Sequence, residues 1–434
     1  MIIKNILKLF FGRVVLIIIQ FASLLITNRL LGSEGRGTFA SATTWATLFF
    51  TFFFLSINTM YLKECADNKG DKDDLKNGFF TFGILLSVAS IVISILAYLF
   101  FNDNFIKLPL IIYLINIFTI PFMIIQSLSI AVYQSSGDFK KVNIATLFTS
   151  AFNLILIILS IFFVKFDVVV FSTISLISWC CCCLYCFVTC RFSFSWPGLN
   201  KLFYKKFVSD LSFLHINTIM TFLVSGLNII IMHKYLSDNV VGQFFLANAI
   251  IGYLLILPAS IQNVLITNLI DKTNVDRIRT TGTFFKVSVT GMALIVLVLF
   301  FFANIIILVL GGKSFANSGF YLQCLLPTVL FQIAGMIWSS LWSIKGYFKL
   351  VMKNSFLIVI LSVVLNFILI RSMGVMGAII SINIITFLSM CVHIILAMRE
   401  FKSVGISAHE IIPQKKDFVT VKENISLFRD KFRK

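Results

Sequence analysis

Twelve uninterrupted apolar runs leave this chain little freedom in what it can become. A helix of about 20 apolar residues crosses the hydrocarbon core of a bilayer. The runs fall at about 12–31, 38–62, 79–101, 108–134, 142–164, 168–190, 211–236, 240–268, 283–311, 319–343, 354–372 and 376–397. Inside lipid only helices and closed barrels satisfy their own backbone, and these runs lack the period-two alternation of barrel strands. Composition agrees, with 59% of the 434 residues hydrophobic and 12% charged. That charged share is about half of what covers a soluble domain. A soluble enzyme, a secreted disulfide scaffold and a disordered chain are therefore excluded. The expected fold is an all-α polytopic membrane protein of about twelve transmembrane helices. The fourth and eighth runs exceed a simple span and predict tilt or extension into the interface.

The net charge of +18 raises the question of nucleic acid, and its distribution answers it. With the N-terminus placed in the cytoplasm, inward segments hold 29 of the 36 Lys and Arg. The outward seven are Arg29, Arg36, Lys107, Lys165, Lys234, Lys313 and Arg371. This is the bias that sets orientation in membranes, so both termini are expected inside and no nucleic-acid partner is needed. The first run continues into Arg29-Leu30-Leu31-Gly32 without a small-residue cleavage site, so it is expected to stay as a span.

The chain echoes itself. Arg29-Leu30-Leu31-Gly32-Ser33-Glu34-Gly35-Arg36-Gly37-Thr38-Phe39 aligns with Lys234-Tyr235-Leu236-Ser237-Asp238-Asn239-Val240-Val241-Gly242-Gln243-Phe244 at an offset of 205 residues. Gly137-Asp138-Phe139-Lys140 aligns with Gly346-Tyr347-Phe348-Lys349 at 209. Two echoes at nearly one offset predict a duplication of six spans, and an even number of spans makes the halves parallel. The expected organisation is two pseudo-symmetric six-helix lobes, 1–200 and 201–397, followed by a basic cytoplasmic tail, 398–434.

Polar residues within spans are costly unless they face partners or a cavity. Arg13, Gln20 and Thr27 form one stripe, and Thr44, Thr47, Thr51 and Asn58 another. Asn217, Thr221, Ser225 and Asn228 share a face of the seventh run; Asn248, Gly252, Ala259 and Asn263 share one in the eighth, where Pro258 predicts a kink. The candidate cavity set is Arg13, Gln20, Arg29, Asn58, Asn217, Thr221, Asn228, Lys234 and Asn263. The bland alternative is helix glue for the amides and hydroxyls, and headgroup snorkelling for the cations. No Asp or Glu stands mid-span, and His215, His233 and His393 look like isolated imidazoles. Cys180, Cys183, Cys186 and Cys190 share a face of the sixth run; without nearby His they read as packing rather than metal ligands. Neither a phosphate-binding GxxxxGK[ST] loop nor an HExxH motif occurs, so no catalytic site, metal or cofactor is expected.

Arg29-Leu30-Leu31-Gly32, Gly35, Gly37 and Phe39-Ala40, with Gly374-Val375-Met376-Gly377-Ala378 before the last run, carry a family resemblance. The chain resembles the polysaccharide (oligosaccharide) flippases, the Wzx-type O-antigen translocases of the multidrug/oligosaccharidyl-lipid/polysaccharide exporter superfamily. That resemblance implies two six-helix lobes, alternating access, and location in the bacterial inner membrane. The implied substrate is an undecaprenyl-pyrophosphate-linked oligosaccharide repeat unit for lipopolysaccharide O-antigen or a similar polymer. Membrane lipids, a polymerase and a chain-length regulator are the implied partners. Arg13 and Arg29, with Lys234 as counterpart of Arg29, are the cations suited to the pyrophosphate. Each negative charge carried outward gains about 2.3 kcal/mol per 100 mV, so an anionic head can run on membrane potential without an intramembrane carboxylate, with ion coupling as the alternative. The rivals are a cation-coupled multidrug antiporter of the same superfamily, a peptidoglycan-precursor flippase, which resembles a fourteen-span plan, an O-antigen polymerase or ligase, which resembles chains with a large catalytic loop, and a non-transporting scaffold.

Overall fold

The computed structural model describes the backbone of residues 2–67, 72–194, 201–269 and 272–405. Thirteen α-helices account for nearly all of it, and no strand occurs among the described residues. They are α1 (Ile2–Phe54), α2 (Ile57–Asp67), α3 (Lys72–Phe101), α4 (Leu110–Ile117), α5 (Ile120–Ser135), α6 (Phe139–Phe163) and α7 (Val168–Cys190). The second half adds α8 (Lys201–Tyr235), α9 (Asp238–Leu269), α10 (Asn274–Gly311), α11 (Ser318–Ile344), α12 (Phe348–Met373) and α13 (Val375–Ser403).

Eleven described segments are long and apolar enough to cross a membrane, the first being Val15–Cys65 with 51 residues. At 1.5 Å per residue that segment is about 75 Å long, far beyond one bilayer, so it holds two spans. Gly32 divides them, at φ 66° and ψ −176°, a backbone region open essentially to glycine alone. Eleven segments, one of them double, match the twelve expected runs.

Two runs are broken inside. Leu55 and Ser56 take positive φ between α1 and α2. The fourth run splits at Phe118 and Thr119, between α4 and α5. Pro121 enters at the first turn of α5, where its ring removes a donor and opposes the carbonyl four residues back, ending α4. Pro258 behaves otherwise: α9 runs helical through it.

The chain forms two compact units. One comprises Met1–Phe245, Ile307–Ala316 and Ile370–Val375; the other comprises Leu246–Ile306, Asn317–Leu369 and Met376–Lys434. In the first, Ile57, Tyr113, Ile117, Ile124 and Leu128 are buried with Cys182, Cys183, Cys186 and Cys190 in one apolar core. The cysteines are thus packing residues, each with a free thiol. Gln126 ties three helices of this core, its Nε2 donating to Ala145 O (2.8 Å) and Thr149 Oγ1 (2.9 Å), with Cys182 Sγ at 3.2 Å. In the second unit Trp338 and Trp342 are buried and stacked at 6.0 Å, with Phe285 and Phe401 each 5.9 Å from Trp338. Elsewhere large apolar side chains face outward in rows, among them Val88, Val92, Leu96 and Leu99 on α3, and Leu294, Leu297, Phe301 and Ile305 on α10. Such rows suit a lipid environment, where surface apolar groups need no cover.

Both echoes of the sequence are structural. α5 ends with Gly137 at φ 73° and α11 ends with Gly346 at φ 71°. In each turn the N–H one residue past the glycine donates five residues back, Asp138 to Tyr133 O (2.9 Å) and Tyr347 to Trp342 O (3.0 Å). This is the Schellman closure, which needs a left-handed residue. The offset of 205 also relates Lys107 (φ 51°), just after α3, to Gly312 (φ 74°), just after α10. The chain therefore reuses its turn geometry, including one correspondence that residue identity conceals.

Candidate functional site

The glycine-containing echo meets itself in space. A Cβ on Gly37 would stand 1.8 Å from Asp238 O, and a Cβ on Gly242 would stand 1.9 Å from Ser33 O. The 205-residue offset maps Gly37 to Gly242 and Ser33 to Asp238, so the two clashes are one contact seen from its two sides. The crossing of α1 with the start of α9 therefore has local pseudo-two-fold symmetry, and only glycine permits so close an approach.

Polar groups cluster at this crossing. Thr38 Oγ1 donates to Asp238 Oδ2 at 2.5 Å and also lies 3.2 Å from Glu34 O. His233 Nδ1 lies 2.9 Å from Asp238 Oδ1, with the imidazole buried and the carboxylate 28% exposed. Asp238 occupies the first turn of α9, where the helix dipole favours negative charge. The imidazole that looked isolated in the sequence thus has a carboxylate partner, because the turn after α8 folds Asp238 back on it.

The flanking cations are engaged. Arg29 Nη2 donates to Val309 O (2.8 Å), near the end of α10. Lys107 Nζ donates to Lys234 O (3.1 Å), and Lys234 Nζ sits 4.4 Å from the centre of the Phe105 ring. The first repeat's cation thus touches the end of the ninth span, and the second repeat's cation touches the end of the third, which is the same relation exchanged. Arg36 is buried, with its guanidinium 5.1 Å from the Phe245 ring and 5.6 Å from those of Phe39 and Phe171. Three aromatic faces provide electrostatic attraction that supports a desolvated cation.

The remaining candidates are spread along the spans. Gln20 is half-buried on α1, and Asn58 is half-buried on α2, its Oδ1 accepting from the Thr59 N–H at 2.7 Å. Thr221 is exposed on α8 and accepts, at its carbonyl, the Ser225 hydroxyl. Asn228 is buried, its Oδ1 accepting from the Ile229 N–H at 2.8 Å. The side chains of Arg13, Asp210, Asn217 and Asn263 lie outside the described residues. Several stripe hydroxyls turn back on their own helices: Thr27 to Ser23 O, Thr44 to Ala40 O and Thr47 to Thr43 O. Such back-bonding is how hydroxyls live in apolar helices. His393 does likewise, with Nδ1 2.8 Å from Ser389 O.

Thr38, His233 and Asp238 were absent from the candidate set. The one sequence signal for Thr38 and Asp238 was position within the echo, and His233 stands one residue before it. No group of three or more His, Cys, Asp or Glu among the described residues is placed to hold a metal ion. An open groove of about 400 Å³ between α6 and α7 is lined by apolar residues such as Leu156, Phe163, Val169 and Ile177, and lies apart from these polar groups.

The fold is similar to that of transporters of the MOP superfamily. An inward-facing multidrug resistance MATE family transporter of that superfamily superposes with a TM-score of 0.72 at 12% identity, covering 89% of this chain and 95% of its own. The lipid II flippase MurJ, in an inward closed conformation, gives 0.65 at 16% identity, covering 99% and 93%. A MOP superfamily transporter from Pyrococcus furiosus, whose binding pocket is described as reversed in polarity, gives 0.60 at 11%, covering 93% and 97%. Residues 2–209 match the family model of polysaccharide biosynthesis proteins, which bears out the resemblance to the polysaccharide flippases of this superfamily. Comparison with the curated proteins returns no match.

Proposed function

We propose that this chain is a flippase that moves an undecaprenyl-pyrophosphate-linked oligosaccharide repeat unit across the bacterial inner membrane by alternating access. The observation that carries it is the match of residues 2–209 to polysaccharide biosynthesis proteins on a chain with the MOP transporter fold. The physical need is plain, since a sugar–diphosphate head cannot cross hydrocarbon without losing several kcal/mol of hydration per ion. The six-span halves 1–200 and 201–397 are the moving lobes, both termini are cytoplasmic, and a polymerase and a chain-length regulator receive the exported unit. Arg29 and Lys234, related by the repeat, are the described cations proposed to meet the diphosphate, together with Arg13. Gln20, Asn58, Asn217, Thr221, Asn228 and Asn263 are proposed to line its path. No covalent chemistry is assigned to the chain.

One observation favours a second reading. The Asp238–His233 pair supplies an acid of the kind a cation-coupled multidrug antiporter requires. Gene deletion separates the two. Loss of surface polysaccharide, with lipid-linked repeat units stranded in the cytoplasmic leaflet, is the expected result, and an Arg29→Ala, Lys234→Ala double variant should restore export poorly. Intact polysaccharide with heightened sensitivity to cationic drugs would replace the flippase with the antiporter.

A further inference from the structure

The two sides of the glycine crossing match in backbone but differ in chemistry. Where the second repeat carries His233 and Asp238, the offset of 205 places Asn28 and Ser33 in the first. Asn28 is fully buried, and neither its amide nitrogen nor its oxygen has a hydrogen-bond partner among the described residues. One half of a symmetric contact is thus neutral and the other titratable. The titratable half reaches across the crossing through the bond from Thr38 to the Asp238 carboxylate, between residues 200 apart in sequence.

We infer that Asp238 is a proton-binding site that latches this crossing, holding α1 against α9 while ionised and releasing it when protonated. The carboxylate accepts the Thr38 hydroxyl as an anion, and hydrogen bonds to charged acceptors are roughly twice as strong as neutral ones. A proton arriving on the carboxylate oxygen removes the charge and turns that oxygen into a donor, so Thr38 loses its anionic acceptor. Asp238 keeps 28% of its side chain accessible, which gives the proton a route from solvent. The other ionisable groups on the segments packed there are Arg29, Glu34 and Arg36 on α1, Lys107 after α3, Lys234 on α8 and Arg371 on α12. His233 lies against the carboxylate at 2.9 Å, and its protonation favours the ionised acid. This mechanism is independent of the cargo, so it stands or falls separately from the flippase assignment.

Amide hydrogen exchange on the full-length, substrate-free protein in nanodiscs tests it, with rates corrected for intrinsic pH dependence. In the wild type, protection of residues 38–42 and 242–246 should fall about tenfold between pH 7.5 and about 3, the weight of one hydrogen bond to a charged group. Asp238→Asn should show the lower protection throughout, without pH response. Thr38→Val, which keeps the acid and the side-chain shape, should lose the response too, and it serves if Asp238→Asn fails to fold. His233→Asn, the first repeat's own residue type, should move the fall to higher pH. A flat wild-type profile, or a Thr38→Val profile that follows the wild type, would overturn the latch.

Discussion

Glycine positions separate into those that space demands and those that it does not. Gly37 and Gly242 would each drive a Cβ into a backbone carbonyl, whereas Gly252 and Gly291 have open space around them. Gly37→Ala and Gly242→Ala should each destabilise the protein by about 1–3 kcal/mol, the usual range for overpacking. Gly252→Ala should be neutral or stabilising by up to about 1 kcal/mol, because alanine is the better helix former. Thermal unfolding in detergent, followed by size-exclusion of the surviving fraction, ranks them; equal losses at positions 37 and 252 would deny the close crossing. Arg36→Ala should also destabilise, since it removes a cation from three aromatic faces, each contact worth about 0.5–2 kcal/mol.

Helix ends are where short polar residues act on whole elements. Asp138 caps α6, its carboxylate accepting the Lys141 N–H at 3.1 Å. That bond, the largest influence on it, holds the carboxyl below the usual range for aspartate. A depressed pKa stabilises the folded state above the unfolded value and loses that contribution as pH falls through the folded one. Asp138→Ala should therefore cost about 1 kcal/mol near neutrality, and the gap from wild type should close in acid, as unfolding at stepped pH will show. Gly346, at φ 71°, ends α11 in the left-handed region, so Gly346→Ala should destabilise by about 1–2 kcal/mol. Element boundaries were legible where such residues stand, as with both repeat turns. They were illegible where a run breaks without an obvious signal, as at Leu55 and Ser56, or runs through Pro258.

Across the whole molecule, the uneven split of basic residues predicts an orientation with Lys165 outside and Lys272 inside. Alkaline phosphatase fused after Lys165 should be active, and fused after Lys272 inactive; the reverse pattern would invert the proposed direction of transport. If export uses membrane potential, flipping in vesicles should rise with an inside-negative potential, by up to about 2.3 kcal/mol of driving force per charge per 100 mV. A rate that follows the pH gradient alone would instead point to Asp238.

Sequence alone determined the fold class and the number of spans, because lipid imposes length and apolarity on each span, and it marked the repeated turns by their glycines. Tertiary structure decided which polar residues meet. Thr38 and Asp238 are 200 residues apart, and nothing local joins them until two glycines let α1 and α9 approach to backbone contact. His233 looked isolated for the same reason, since its partner is set by a turn and its burial by distant helices. The cations Arg29 and Lys234 were legible as types and positions, but the carbonyl and ring that engage them belong to the ninth and third spans. Pattern along a chain records what each helix needs from its solvent, while pairing between helices depends on distances that only packing sets.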